Sequence, residues 1–449
     1  ADQRALKVAS VLGRAFTTEA ICAIAGEQLA AETLEAQLAS NELVRPSGTE
    51  GVWEFRQMLV REAIYDALLL DQRRELHAAV VKHLVGNRQG NALAPHYPAL
   101  ALHATAAEDW QSAVLYLDLA GEQALARWAN AEAARFHQSA LHISRTGRAA
   151  VDPVQRGRWE ARVAEASFRL GDMDTTIAAG YRALEAWGMP LSERVAGQLI
   201  SLIGAFAGRF RAVAPLSLPD HDQRLLLDLY GRLVDAQGFR QSAGGFLLNI
   251  FRELALAEAL DMPGRAARAW LMFYFFFAAT PLESRARVWV SRARALVERE
   301  SDPSRRGSVT VRLGVASMYT ADWVAANANI LAGIALAEAQ GEQRNQSEGM
   351  VTLCHGYSIR GHFRPLAGTA SKIRAITRVT GDRQIEGVCA ALMADAHARS
   401  GNLAEAEREL GEFVESLDGL AVGPNRVLGQ GVRAMVSLRQ RWKFLTLLC

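Results

Sequence analysis

The residues whose types and spacing could do chemistry are a few histidines and cysteines. His96 and His103 lie seven apart, with His77 and His83 upstream. On one helix face such a pair would offer two imidazole nitrogens to a divalent metal. A metal site needs three or four ligands, and no carboxylate or thiol at helical spacing completes the set, so structural histidines are expected. Cys354 and His355 are adjacent, and consecutive side chains on a helix point apart, which excludes a nucleophile–base pair. Cys22, Cys354, Cys389 and Cys449 show no CxxC spacing, so they form neither a disulfide framework nor a zinc site. No GxxxxGK[ST] run occurs. Without its backbone cradle and lysine, the β- and γ-phosphates of ATP have no seat. The sequence thus predicts no catalytic, cofactor-binding or metal-ligating residue, no cofactor and no enzyme activity.

The elements that would position these residues belong to a folded, extended chain. At 449 residues with 50% apolar and 22% charged residues, it is too long for one compact core and too apolar for disorder. A formal net charge of +2 gives no global attraction to nucleic acid or anionic membrane. Of the 50 basic residues only Lys7, Lys82, Lys372 and Lys443 are lysines, which leaves 46 arginines, a bias that reads as the codon usage of a GC-rich bacterial genome. No signal peptide opens the chain, because Asp2, Arg4 and Lys7 interrupt any apolar stretch. The longest apolar run, Trp270 to Ala279, falls well short of the ~20 residues that span a bilayer. A cytoplasmic location is expected. The start at Ala1 inside a helical pattern and the end at Leu447-Leu448-Cys449 predict a fragment of something longer.

Residues 1–86 have their own pattern. Leu6, Val8 and Val11 mark a first helix closed by Gly13. Thr17 and Thr18 cap a second that ends at Gly26, and Leu34 and Leu38 mark a third, from Leu29 to Asn41. Leu43-Val44 and Val52 to Phe55 read as strands around the turn from Pro46 to Gly51. A fourth helix carries Leu59, Ala63, Ala67 and Leu70 on one face, and a fifth carries Leu76, Val80 and Leu84. Three helices followed by a hairpin outline a winged helix. Its third helix would be the DNA-recognition helix, yet between Ala15 and Val44 there are five glutamates (Glu19, Glu27, Glu32, Glu35 and Glu42) and no Lys or Arg. Phosphate contacts supply most non-specific affinity, so a domain-packing role is favoured over DNA binding.

Beyond a linker, residues 87–98, the pattern is of paired helices with an internal repeat. The triplets Ala286/Val290/Ala293, Ala326/Ile330/Gly333, Leu366/Ala370/Ile373 and Ala406/Leu410/Phe413 each have helix-face spacing and recur every 40 residues. The turns at Asp261, Ser301, Gly341 and Gly381 keep the same step. The expected fold is all-α, an α-α superhelix of helical hairpins behind the small winged-helix-like module. Repeats are expected over 99–207 and, in the regular 40-residue period, over 223–449, with an irregular break at 208–222. Trp270 to Phe277 is read as a helix buried between hairpins, with an aromatic ligand-pocket wall as the functional alternative.

Within the units, Asp109-Trp110-x2-Ala113-x3-Leu117-x2-Ala120, Asp322-Trp323-x2-Ala326 and Gly401-Asn402-Leu403-x2-Ala406 resemble tetratricopeptide repeats, with Gly171-Asp172-Met173 leading to Ala183-Leu184 as a weaker copy. Leu6 to Phe16, Trp53 to Leu68 and Arg73-Arg74-Glu75-Leu76-His77 resemble the segment that follows the nucleotide-binding core of STAND-type signalling ATPases of the AAA class. In bacteria these are often fused behind a class III adenylate/guanylate cyclase domain and followed by such repeats. Leu93 to Pro98 and Ala120 to Ala124 are similar to that group's entry into its repeats, whereas Gln57 stands where the group usually has histidine. The resemblance covers residues 1–145 and is architectural afterwards. It implies a non-catalytic sensor and protein-interaction region. The implied partners are a protein or small inducer on the repeats and the ATPase/cyclase portion of the same polypeptide. A free-standing tetratricopeptide adaptor is the runner-up and a DNA-binding activator the third reading.

Overall fold

In the computed structural model, residues 2–25, 31–49, 51–86, 92–190, 218–240, 242–278 and 282–416 are described. Chain contacts divide the protein into two units, residues 1–127 with 135–152, and residues 128–134 with 153–449.

The first unit opens with helix α1 (Asp2–Leu12), strand β1 (Ala15–Thr17), α2 (Thr18–Ala25), α3 (Ala31–Ala39), and strands β2 (Val44–Pro46) and β3 (Val52–Phe55). The strands form an antiparallel sheet in the order β1-β3-β2. Three residues are too few to display a period of two, so β1 is not foreseen by the pattern. Its last residue, Thr17, also accepts from the Ala20 N–H at 3.1 Å and starts α2. Val8, Phe16, Ile21, Leu34, Leu38, Val44 and Phe55 make one buried cluster, in which the Phe16 and Phe55 rings lie 5.4 Å apart.

Helices α4 (Met58–Asp66) and α5 (Leu70–Gly86) follow, and here the expected single face from Leu59 to Leu70 is corrected. The chain turns after Asp66 because the Arg73 guanidinium donates to the carbonyls of Asp66 (2.8 Å) and Leu68 (3.1 Å) at the helix end. Leu59 and Leu70 are 75% and 62% exposed. A short 3-10 turn (Ala94–His96) leads to α6 (Tyr97–Ala106), α7 (Trp110–Ala126) and α8 (Asn130–Arg145). The helix thus starts within the expected linker, whose residues 87–91 lie outside the description.

The second unit is a series of helical hairpins: α9 (Pro153–Leu170) with α10 (Met173–Ala186), α11 (Asp220–Phe239) with α12 (Ala243–Ala259), α13 (Pro263–Phe277) with α14 (Glu283–Arg299), α15 (Pro303–Tyr319) with α16 (Trp323–Ala339), α17 (Gln343–Arg360) with α18 (Phe363–Thr380), and α19 (Arg383–Arg399) with α20 (Leu403–Ser416). From Pro263 onward the first helices start 40 residues apart, and from Glu283 onward so do the second helices. The expected break at 208–222 falls outside the description up to residue 217, and α11 has begun by Asp220.

Local chemistry sets this beat. Ala321, Gly341, Gly361, Gly381 and Gly401 have φ between 56° and 86°, a left-handed residue every 20 positions that ends one helix. Asp172, Asp302, Asp322 and Asp382 then each accept a hydrogen bond from the N–H three residues on and start the next. Ala321 (φ 56°) takes that conformation without being glycine, at a cost of roughly 1 kcal/mol, which its neighbour Asp322 offsets by capping. Three of the four triplets lie buried or half-buried on second helices, as does the start of the fourth, Ala406 and Leu410; the Phe413 side chain lies outside the description. First helices of successive hairpins, α13 to α15, α15 to α17 and α17 to α19, also pack on each other directly, so their side chains share one face of the array. Among the described residues no helix is long and apolar enough to cross a membrane.

Candidate functional site

The histidines meet in a pairing that sequence spacing does not show. His96 ends the 3-10 turn and precedes α6 rather than sharing a face with His103. Instead His77 of α5 and His103 of α6 are both buried, with their Nδ1 atoms 2.7 Å apart, and His77 Nε2 lies 3.0 Å from the Tyr65 hydroxyl. Burial, aided by His103, Arg61 and Arg73, holds His77 down at about 4, and burial does the same for His103. Two neutral rings bond well at this distance, one donating and one accepting. Two protonated rings would set hydrogen against hydrogen. This is a packing contact between helices, and the described residues contain no group of three or more metal-ligating side chains.

The Cys354 thiol lies 3.8 Å from the Leu366 carbonyl and is pushed up to about 12 by burial and by Cys389. His355 Nδ1 donates to the Val351 carbonyl at 2.9 Å. A thiol held that high supplies no thiolate at neutral pH. Cys449 lies outside the description.

The aromatic run divides. Leu271, Met272, Phe273 and Tyr274 of α13 are buried, and Phe273 packs edge-on to Phe251 at 4.6 Å. Phe275 and Phe276 instead line cavities.

The polar site lies on the first-helix face of the second unit. A cavity of about 250 Å³ is walled by α9, α11, α13, α15 and the start of α17. Among the described residues its wall carries seven arginines and five carboxylates. Glu165 accepts from Arg232 at 2.6 and 3.1 Å and from Arg169 at 2.7 Å. Arg268 donates to Asp235 at 2.5 Å, to the Gly231 carbonyl at 3.0 Å, and to Glu253, which is fully buried behind it. Burial works to raise the Asp235 carboxyl, but Arg268, Arg312 and Arg232 outweigh it and hold it low. For Glu253 burial prevails and its carboxyl is raised.

Two guanidiniums are less well matched. Arg265 pairs with Asp228, while its buried Nε has no partner. Arg312 reaches Ser308 on its own helix, and Asp235, already taken by Arg268, stands 3.9 Å off. Burial and the neighbouring Arg268 lower both, Arg265 to about 10. A lowered guanidinium marks a place where positive charge is under-compensated.

A second cavity, of about 310 Å³, adjoins the first and shares Asp235, Arg312 and Glu348 with it. Its other walls are mostly apolar and include Phe168, Met272, Phe275, Val311 and Val388. Arg232 and Arg344 both stack on Phe168, at 4.7 and 4.9 Å from the ring centre.

None of these arginines stands out in a chain with 46 of them. The signal that finds them is the repeat itself: Arg265 and Arg305 are one period apart, and Arg312 falls one period after Met272.

No protein-family model and no curated protein sequence matches the chain. Solved structures offer distant likenesses. One is a Signal Transduction ATPase with Numerous Domains (STAND) protein with a tetratricopeptide repeat sensor from Pyrococcus horikoshii, at 12% identity and a TM-score of 0.43. That match covers 99% of this chain but 60% of the STAND protein, so this chain spans less than two thirds of that protein's length. The apo form of RapI matches at 11% identity and a TM-score of 0.43, over 68% of this chain and 98% of its own. A Rap protein complexed with competence and sporulation factor matches at 10% and 0.42, over 82% and 91%.

Proposed function

We propose that this chain is the non-catalytic sensor and protein-interaction arm of a cytoplasmic, STAND-like bacterial signalling ATPase, of the kind associated with adenylate/guanylate cyclase domains. The observation that carries the sensing half is the cavity walled by five first helices, α9, α11, α13, α15 and the start of α17. A ligand there touches several repeats at once and so fixes their mutual angles, and small per-repeat rotations add up along a solenoid. The ATPase half rests on the likeness of Leu6 to Phe16 and Trp53 to Leu68 to the segment after a STAND core. The helix–strand–helix–helix–hairpin order around β1-β3-β2 also fits a winged-helix connector. In this reading the module relays the state of the repeats to the ATPase. DNA binding is disfavoured because α3 and its flanks carry acidic residues and no basic ones.

ATP turnover by the complete gene product tests this, with the wild-type cavity and with Arg312→Glu. Turnover that changes with the substitution supports a sensor arm coupled to an ATPase. A complete product without a phosphate loop and without turnover would leave the free-standing adaptor instead.

A further inference from the structure

Arg265 and Arg312 sit in the same cavity with donors unspent. Arg265 Nε is buried and unpartnered, and Arg312 bonds only within its own helix, with Asp235 3.9 Å away. Of the carboxylates nearby, Asp228 accepts from Arg265, Asp235 from Arg268, Glu165 from Arg232 and Arg169, and Glu348 from Arg344, so none turns its charge to Arg312 at hydrogen-bond distance. The two side chains are 22% and 16% exposed, and a guanidinium largely withdrawn from water without a full set of acceptors is unfavourable; a carboxylate or phosphate matches its planar fork with short charge-assisted bonds.

The adjoining cavity adds an apolar surface beside Arg312. Arg312 belongs to both walls, and beyond it the surface turns apolar with Phe168, Met272, Phe275, Val311 and Val388. A ligand held at Arg312 would therefore place whatever is attached to its charged group against these side chains. A volume of about 310 Å³ accepts an aromatic ring or a branched alkyl group of ordinary ligand size.

We infer that the first-helix face of the second unit binds an organic oxyanion, a carboxylate or phosphate held by Arg265 and Arg312, whose apolar arm fills the cavity beside Phe168, Met272 and Phe275. The inference deepens the reading of this unit as a ligand-binding arm. It is tested on binding by the chain alone, whereas the link to an ATPase is tested by turnover, so the two fail separately.

Calorimetry on the full chain with four probes decides it: phenyl phosphate, 3-phenylpropionate, inorganic phosphate and the neutral 3-phenylpropanol. At least one arm-bearing anion should bind, about tenfold or more tighter than inorganic phosphate, with affinity falling as salt rises, and the alcohol should not bind measurably. The tighter of the two anions distinguishes a phosphate from a carboxylate ligand. Arg312→Gln and Arg265→Gln should each weaken the anion about tenfold or more, with melting curves checking that the variants fold. Should either variant unfold, Met272→Trp, which fills the apolar cavity, is expected to weaken the arm-bearing anions and spare inorganic phosphate. Binding of the alcohol as tight as that of the anions, no binding of either anion, or affinity unchanged by the substitutions would each overturn the inference.

Discussion

Gly307 of α15 and Gly333 of α16 meet backbone to backbone. A Cβ on Gly333 would stand 2.7 Å from the Gly307 carbonyl oxygen, and a Cβ on Gly307 would stand 3.2 Å from the Gly333 carbonyl. Neither oxygen can swing aside as a side chain would. Gly333→Ala should therefore destabilise the second unit by about 2 kcal/mol or more through overpacking. Gly368 lies on α18 with nothing within 4 Å of its would-be Cβ. Gly368→Ala should stabilise by roughly 0.5–1 kcal/mol, the helix propensity gain alone. Urea unfolding of the two variants checks the contrast.

Ala326, 1% exposed, has its carbonyl 2.9 Å from the would-be Cβ of Gly314, so two helices touch there. Ala326→Arg should cost about 3 kcal/mol or more by forcing a charged chain into that contact. Ala404, exposed two residues before buried Ala406, should accept arginine within about 0.5 kcal/mol. Because each repeat leans on its neighbours, limited proteolysis of the Ala326 variant should cut near α15 to α17 and leave residues 1–127 intact. Equal tolerance at the two positions would contradict the 40-residue register.

The helical-hairpin architecture was legible because its beat is chemical. Left-handed turns at Gly341 and Gly381, capping aspartates and small residues such as Ala286 and Ala326 recur at fixed intervals, and periodic signals survive in a single sequence. The His77–His103 pairing, 26 residues apart, depends on how α5 meets α6, which no spacing rule encodes. The cavity escaped for a different reason. Its arginines repeat with the period, but in an arginine-rich chain only three-dimensional crowding separates Arg265 and Arg312 from solvated surface residues. The end of α4 was missed because the turn is made by a side chain, Arg73, that reaches back to the carbonyls of Asp66 and Leu68.

The histidine pair sets a pH dependence for the first unit. Both rings titrate at about 4 in the folded chain, below the ordinary value of 6.5, so the unfolded chain takes up more protons between these limits. Stability from the pair is complete above pH 6.5 and declines as pH falls toward 4, by roughly 3 kcal/mol per ring. His103→Gln, which keeps a neutral polar side chain, should flatten that slope in denaturant titrations at pH 7, 5.5 and 4.5. An unchanged slope would mean that the pair is not what titrates.

Arg268 holds buried Glu253 and Asp235 together. Arg268→Met leaves buried Glu253 without its hydrogen-bonded cation, and Asp235 with only Arg312 3.9 Å away, and should cost about 3–5 kcal/mol. Adding Glu253→Gln should restore part of the loss, since one orphaned charge is then removed. Thermal melts of the single and double variants measure the coupling, and strictly additive losses would contradict a shared ion-pair network.

The chain should hydrolyse no ATP, since it contains no phosphate loop. Phosphate release from Mg-ATP is expected to stay at background, and turnover that scales with protein concentration would refute the reading of this chain as non-catalytic.

A ligand in the second unit should sit on its first-helix face. Hydrogen–deuterium exchange on the full chain, with and without saturating phenyl phosphate or 3-phenylpropionate, tests it most directly. Exchange should slow in α11, α13, α15 and the start of α17, around Arg232, Arg265, Arg312 and Asn345, with α14, α16 and residues 1–127 unchanged. Protection confined to the second helices or to the first unit, or no protection under saturating ligand, would contradict it.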